Sequence, residues 1–372
     1  MPNLNNTTPT NNSVDKLMLG TVLSLLIIGL IGVYSSSYIW ADFSYGDKLF
    51  FLKRQSLFVG IGLFIMMIVS YIPYTFWKKH AKIILLICFG LLIIVLIPGI
   101  GIVRGGAQSW IGIGAFSIQP SEFIKLGLIL FLAERLSIYG KYIRSLFKGF
   151  LPLLLLIFVA FALIMLQPDL GTGVVLVLTC MMVLFIAGAK ISYFVSLGFV
   201  GIIGFTLLIL SAPYRIRRIT AFLNPWEDPL GDGFQIIQSL YALGPGGLLG
   251  VGLGKSLQKH FYLPEPQTDF IFAIIGEELG FIGGTFVMLL FILLLWRGTK
   301  VALTAPCLFS RYVSFGIVSM FTIQAMINLS VVIGLIPVTG ITLPFLSYGG
   351  SSLTLTLASV GILLNISRYS NI

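Results

Sequence analysis

Long apolar runs separated by short polar connections dominate the chain. A helix crosses the ~30 Å hydrocarbon layer of a bilayer with about 20 mainly apolar residues. Ten such runs can be marked, at roughly 17–39, 55–72, 83–98, 121–138, 150–166, 172–189, 193–212, 270–296, 312–335 and 345–366. They do not alternate polar and apolar positions, as the strands of a membrane barrel do. The pattern therefore predicts an all-α, polytopic membrane protein with about ten transmembrane helices. The fourth run is the most polar, with Glu122, Lys125 and Glu134. Residues 1–15 read as a short disordered tail and 16–372 as a single membrane domain. The tail has neither a basic start nor a small-residue cleavage site, so it is not a signal peptide.

The connection over 213–269 is by far the longest. Loops of that length are functional or disordered, and this one, with Trp226, Phe234, Tyr241 and Tyr262, is too aromatic for disorder. Phe234, Ile237, Leu240 and Tyr241 share one face at helical spacing. They predict a short helix embedded at the membrane interface.

Composition excludes the soluble alternatives. Apolar residues make up 57% and charged residues 10%, with a mean hydropathy of +1.03. A soluble domain carries about 25% charged residues. The net charge of +10 points to cytoplasmic loops obeying the positive-inside rule, not to nucleic acid. With the N-terminus inside, Lys16, Lys78, Lys79, Lys82, Arg135, Lys141, Arg144, Lys148, Lys190, Arg297, Lys300, Arg311 and Arg368 all fall on the inner side. The short outer loops hold only Lys48, Lys53, Arg54 and Arg104. Both termini are thus expected in the cytoplasm, with 213–269 outside. Cys88, Cys180 and Cys307 suggest neither a disulfide nor a zinc site, and two distant histidines make a His-based metal site improbable.

Several positions carry candidate chemistry. In Leu263-Pro-Glu-Pro-Gln-Thr-Asp269-Phe270, the prolines stiffen the approach to a helix mouth. Asp269 there is either a helix N-cap or a general base whose ionisation is tuned by partial dehydration. Arg215, Arg217 and Arg218 either snorkel to lipid headgroups or clamp a pyrophosphate. The run Gly244 to Ser256 resembles a phosphate loop but has Leu249 where that motif requires glycine. Glu122 and Lys125 share a helix face and either neutralise each other or line a polar cavity. Asp169 is a second N-cap candidate, and Glu277 is left open. The small residues of Gly340 to Ser352 permit close helix approach or a re-entrant turn.

The stretches GGAQSWIGIGAFSIQPSEFIKL at 105–126, QPDLGTG at 167–173, APYRIRRITAFLNPWEDPLGDGFQIIQSLYALGPGGLLGVGLGKS at 212–256, YLPEPQTDFIFAIIGEELGFIGG at 262–284 and GLIPVTGITLPFLSYGGSSL at 334–353 resemble the SEDS family (shape, elongation, division and sporulation). The likeness covers nearly the whole chain and is nearest the stage V sporulation protein E and FtsW branch. Gln267 departs from the His common in the family. The resemblance implies a multi-pass protein of the bacterial cell membrane and a peptidoglycan glycosyltransferase that polymerises lipid II and releases undecaprenyl pyrophosphate. The family's essential aspartate falls on Asp269. The resemblance also implies a class B penicillin-binding protein as transpeptidase partner, for spore cortex or septal wall. Substrate-binding candidates within or beside these stretches are Arg104, Gln119, Ser121, Glu122, Lys125, Asp169, Arg215, Arg217, Arg218, Trp226, Gln235, Lys259 and Glu265.

On that reading Asp269 takes the proton from the acceptor sugar hydroxyl. Exchange of an α-linked pyrophosphate for a β-glycosidic bond is an inversion, which needs one base. Arg104, Arg215, Arg217, Arg218 or Lys259 would offset the leaving group, with room for a divalent cation, Mg or Mn. The alternative is a lipid II flippase, for which Glu122, Lys125 and Glu277 would suit a translocation path. The special residues gather on the outer side, which favours polymerisation.

Overall fold

The computed structural model describes residues 14–370 except Gly105, Gly114, Ala115, Ala212, Asp232 and Phe261. The tail expected at 1–15 thus lies outside the described residues but for its last two. The chain forms α1 (Lys16–Tyr45), α2 (Phe50–Tyr71), α3 (Tyr74–Ile94), α4 (Pro120–Tyr139), α5 (Leu151–Met165), α6 (Leu170–Ile186) and α7 (Ile191–Leu210). It continues with α8 (Pro213–Leu223), α9 (Phe234–Gly246), α10 (Ile271–Leu303), α11 (Leu308–Val332) and α12 (Gly350–Ser367). Each of the ten predicted runs coincides with a helix, and among the described residues six helices are long and apolar enough to cross a membrane.

The departures from expectation are local. The 95–119 connection folds into a small antiparallel sheet of β1 (Ile102–Arg104), β2 (Ala107–Ile113) and β3 (Phe116–Ile118). Ile111 pairs with Ile118 and Ile102 with Trp110. The tenth helix starts at Gly350, not at 345, because Phe345 takes a left-handed φ of 68° and cannot continue a helix. α3 starts at Tyr74, so Lys78, Lys79 and Lys82 ride on its first turns.

One end of the bundle gathers residues distant in sequence. Asp15 N–H donates to Ser367 Oγ at 3.1 Å, and Arg297 pairs with Asp15 Oδ2 at 2.8 Å. Asn365 Nδ2 donates to Ser70 O at 3.0 Å. The start of α1 and the ends of α2, α10 and α12 therefore share a face. Most of the basic residues assigned to the inner side lie on these elements or beside them.

At the other end α10 is broken. Gly280 has φ 67° and ψ −165°, which ends one helical segment (271–279) and starts another (281–303). A Cβ at Gly32 of α1 would lie 3.3 Å from Ile271 Cδ1 and 3.5 Å from Ile275 Cδ1. Ser35, about one turn further along α1, holds Glu278. The first segment therefore runs parallel to α1, and the second runs back against it to reach Asp15. The polar groups freed by the break are taken by the glycine-rich loop. Val251 N–H donates to Glu277 O at 3.0 Å and Gly252 N–H to Glu278 O at 3.1 Å. Phe281 N–H donates to Gly247 O at 2.9 Å and Ile282 N–H to Leu248 O at 3.2 Å. Such backbone is tolerated at membrane depth only when protein satisfies it. Gly280 and Gly250 are required here, because a Cβ on either would overlap backbone of the other strand.

The chain over 247–279 is thus an arm that descends into the bundle and climbs back. Helix α9 lies beside it, where a short helix was expected. Its buried face is Ile236, Ile237, Ser239 and Ala242, while Tyr241 is exposed. The face is rotated from the predicted one because α9 packs on protein. Ser239 Oγ donates to Val332 O at the end of α11 at 2.7 Å.

Candidate active site

Asp269 sits at the inner turn of the arm. The N-cap position of α10 falls on Phe270, one residue beyond Asp269. Its backbone is fixed from two sides. Asn328 Nδ2 on α11 donates to Asp269 O and to Ile341 O, both at 2.7 Å. Tyr348 N–H donates to Gln267 O at 2.8 Å. The Asp269 side chain is half-buried. A Cβ at Gly340 would lie 3.7 Å from its Oδ2, so the carboxylate faces the α11–α12 connection across a position with no side chain.

That connection (333–349) is the hub of the site. Thr339 O rests on Gly171 at the start of α6. Gly340 faces Asp269, Ile341 O accepts from Asn328, and Thr342 O accepts from Gln324 Nε2 at 3.0 Å. Four consecutive residues therefore meet the start of α6, Asp269, Asn328 and Gln324 in turn. Gln324 Oε1 in turn accepts from Lys125 Nζ at 3.4 Å. Lys125 pairs with Glu122 Oε1 at 2.8 Å, and Ser352 Oγ donates to Glu122 Oε2 at 3.2 Å. The Glu122–Lys125 pair is buried, so each charge needs these partners.

Asp169 caps α6, its Oδ1 accepting from Thr172 N–H at 3.1 Å. Its Oδ2 accepts from Gln119 Nε2 at 3.0 Å and Ser121 Oγ at 3.4 Å. The turn lies outside the spanning helices. Although part of Asp169 meets solvent, most of its carboxyl is enclosed by protein, and that desolvation raises its pKa against the lowering effect of the Thr172 bonds. Gln119, Ser121, Glu122, Lys125 and Asp169 are thus brought together beneath the α11–α12 connection.

The other sequence candidates lie elsewhere. Lys259 is buried and pairs with Glu278 at 2.8 Å, with its ammonium 4.9 Å from the Tyr38 ring centre. Glu265 is exposed on the descending limb with a left-handed φ of 44°. Trp226 is exposed beside Tyr241, with ring centres 5.8 Å apart, and Gln235 is half-buried on α9. Arg217 is exposed on α8. The side chains of Arg104, Arg215 and Arg218 lie outside the described residues. Sequence reasoning missed Gln324 and Asn328. Their signal was present, since two amides one helical turn apart in an apolar span demand partners. Among the described residues no three Asp, Glu, His or Cys side chains converge to hold a metal ion.

A polar hub beside a broken helix, in an otherwise apolar bundle, defines a site set within a membrane-protein fold. The family model described as a cell cycle protein, that of FtsW, RodA and SpoVE, matches residues 15–372, and the chain belongs to that family. It is 62% identical to the stage V sporulation protein E of Bacillus subtilis (strain 168), over 98% of this chain and 99% of that protein. It is 44% identical to a probable peptidoglycan glycosyltransferase FtsW of Geobacter sp. (strain M18), over 95% of this chain and 96% of that one. The fold matches a chain from a peptidoglycan synthase complex that coordinates polymerization and crosslinking, with TM-score 0.79 and 32% identity, covering 97% of this chain and 99% of that one. It also matches the rod shape determining protein RodA of Thermus thermophilus, with TM-score 0.73 and 29% identity over the same shares. The chain is a multi-pass bacterial membrane protein.

Proposed function

We propose that this protein is a peptidoglycan glycosyltransferase that polymerises lipid II at the outer face of the cytoplasmic membrane, with Asp269 as its general base. The observation that carries the reading is the placement of Asp269. Its backbone is pinned by Asn328 and by the neighbouring Gln267–Tyr348 bond, while its carboxylate faces the glycine of the hub. A base held this way removes the proton from the C4 hydroxyl of the acceptor sugar as that oxygen attacks the anomeric carbon of the lipid-linked donor. Undecaprenyl pyrophosphate leaves from the opposite face, so configuration inverts in one displacement. Arg217 of α8, whose side chain is exposed, is the cation we assign to the leaving pyrophosphate. Lys259 is committed to Glu278 instead.

The flippase alternative loses support from the same geometry. Glu122, Lys125 and Glu277, which suited a translocation path, are each tied to protein partners. A class B penicillin-binding protein is the proposed partner. The apolar cleft between α10 and α11, lined by Phe291, Leu295, Phe321, Ala325 and Met326, suits a single transmembrane helix of such a protein. The test is polymerisation of purified lipid II by the purified protein, read as glycan on a gel. Wild type is expected to make glycan and Asp269→Asn none, and retained polymer in that variant would remove Asp269 from the mechanism.

A further inference from the structure

One buried ionic group takes no part in the chemistry above. Lys259, Glu277 and Glu278 meet where the arm enters and leaves the bundle, away from its turn at Asp269. We infer that this group is a latch that positions Asp269; the inference rests on the reading of Asp269 as the base.

The descending limb and the climbing helix are tied there in two layers. The first is the backbone pairing of 247–252 with 277–282 across the break at Gly280. The second is ionic. Glu277 accepts from Ser256 Oγ and, at 2.8 Å, from Leu257 N–H. Glu278 accepts from Lys259 Nζ at 2.8 Å and from Ser256 N–H at 3.3 Å. It also accepts from Ser35 Oγ of α1, at 2.7 and 2.6 Å. The described residues between 260 and 276, with Asp269 among them, lie between two legs that are clamped to each other and to α1.

The charges are costly here. Lys259 and Glu278 are each 2% exposed, and Glu277 is 1% exposed. An apolar group of the same volume would hold the contact at least as firmly, since burying an ion pair costs several kcal/mol per ion before the partners repay it. What ions add is direction. Lys259 has three donors and Glu278 has two oxygens, so the pair fixes the relative height of the two legs where apolar contacts would let them slide. Asp269 lies on the turn that joins the two clamped legs, where Asn328 and Tyr348 N–H hold the main chain, so a shift between the legs reaches it. A misplacement of about 1 Å at a reacting group costs on the order of 100-fold in rate.

The experiment uses the full-length protein in vesicles. Lys259→Met and Glu278→Gln are each expected to lower kcat by about 100-fold while KM for lipid II stays within about twofold. Lys259→Arg, which keeps the charge, is expected to recover about tenfold over Lys259→Met. A second readout does not depend on activity. With Cys88, Cys180 and Cys307 replaced by alanine, Asp269→Cys is labelled by a membrane-impermeant thiol reagent, with and without Lys259→Met. The latch predicts a labelling rate changed by about fivefold or more. Unchanged kcat, or an unchanged labelling rate, would overturn it. Should Lys259→Met fail to fold, Ser35→Ala removes only the tie to α1, and the same two readouts decide. If Asp269→Asn still polymerises while the labelling rate moves, the base assignment fails and the latch stands.

Discussion

Asp269 and Glu278 are carboxylates on the same arm, and their surroundings could hardly differ more. At the root, Glu278 is sealed and its oxygens are taken by a lysine, a serine and a backbone N–H. At the turn, Asp269 has its main chain fixed and its side chain half-buried beside a glycine. The difference teaches that an acidic group in a membrane protein is defined less by its depth than by which of its atoms the protein uses. Where the carboxylate itself is consumed, the residue builds structure. Where the main chain is held and the carboxylate lies half-buried beside a glycine, the residue can present that carboxylate to a ligand.

The comparison can be broken at four points. The largest effect is expected from Asp269→Asn, which should cut glycan formation by about 1,000-fold in a gel assay, within the usual range for a general base. The same variant should still fold in detergent, with a melting curve close to that of wild type, since asparagine keeps the size of the side chain and the main-chain bond to Asn328. A large loss of stability would make the turn structural, like the root. Next, Gly280→Ala should destabilise by about 3 kcal/mol or more, combining a left-handed φ with overlap on the Gly250 backbone. Thermal unfolding of the purified protein measures it, and a tolerated alanine would mean the break is not fixed. Asn328→Leu leaves the carbonyls of Asp269 and Ile341 without their donor and should cost about 2 kcal/mol, with a parallel fall in kcat. Glu265→Gly is the smallest: it relieves a left-handed residue against the entropy of glycine and should stabilise by about 0.5 kcal/mol. Loss of activity in that variant would give the Glu265 side chain a role at the turn.

Much of the fold could be read from apolarity, because length and hydrophobicity are what a bilayer selects. The arm could not. Phe270 to Trp296 is one unbroken apolar pattern, yet it holds two antiparallel segments. Only Gly280 and the adjacent acidic pair mark the reversal, and a glycine in an apolar run is ordinary. The rotated face of α9 has the same cause, since an apolar stripe packs on protein or lipid alike. For the site, residue types located Asp269, Asp169 and the Glu122–Lys125 pair, and the family resemblance singled out Asp269. They could not show that Thr339 to Thr342 join these groups, because that connection works through its main chain. Nor could they separate Lys259 from the arginines, since a cation in a loop reads the same whether it meets a phosphate or a buried glutamate.

The meeting of Asp15 with Ser367 has a practical consequence. With the Asp15 amide 3.1 Å from the Ser367 hydroxyl, a few added residues could splice the two ends of the bundle into a covalent ring. The ring could then be reopened in the Gly46–Leu49 turn. A circular permutant made this way would place α1 after α12 in synthesis order, and would ask whether the arm needs Ser35 already in place when it is made.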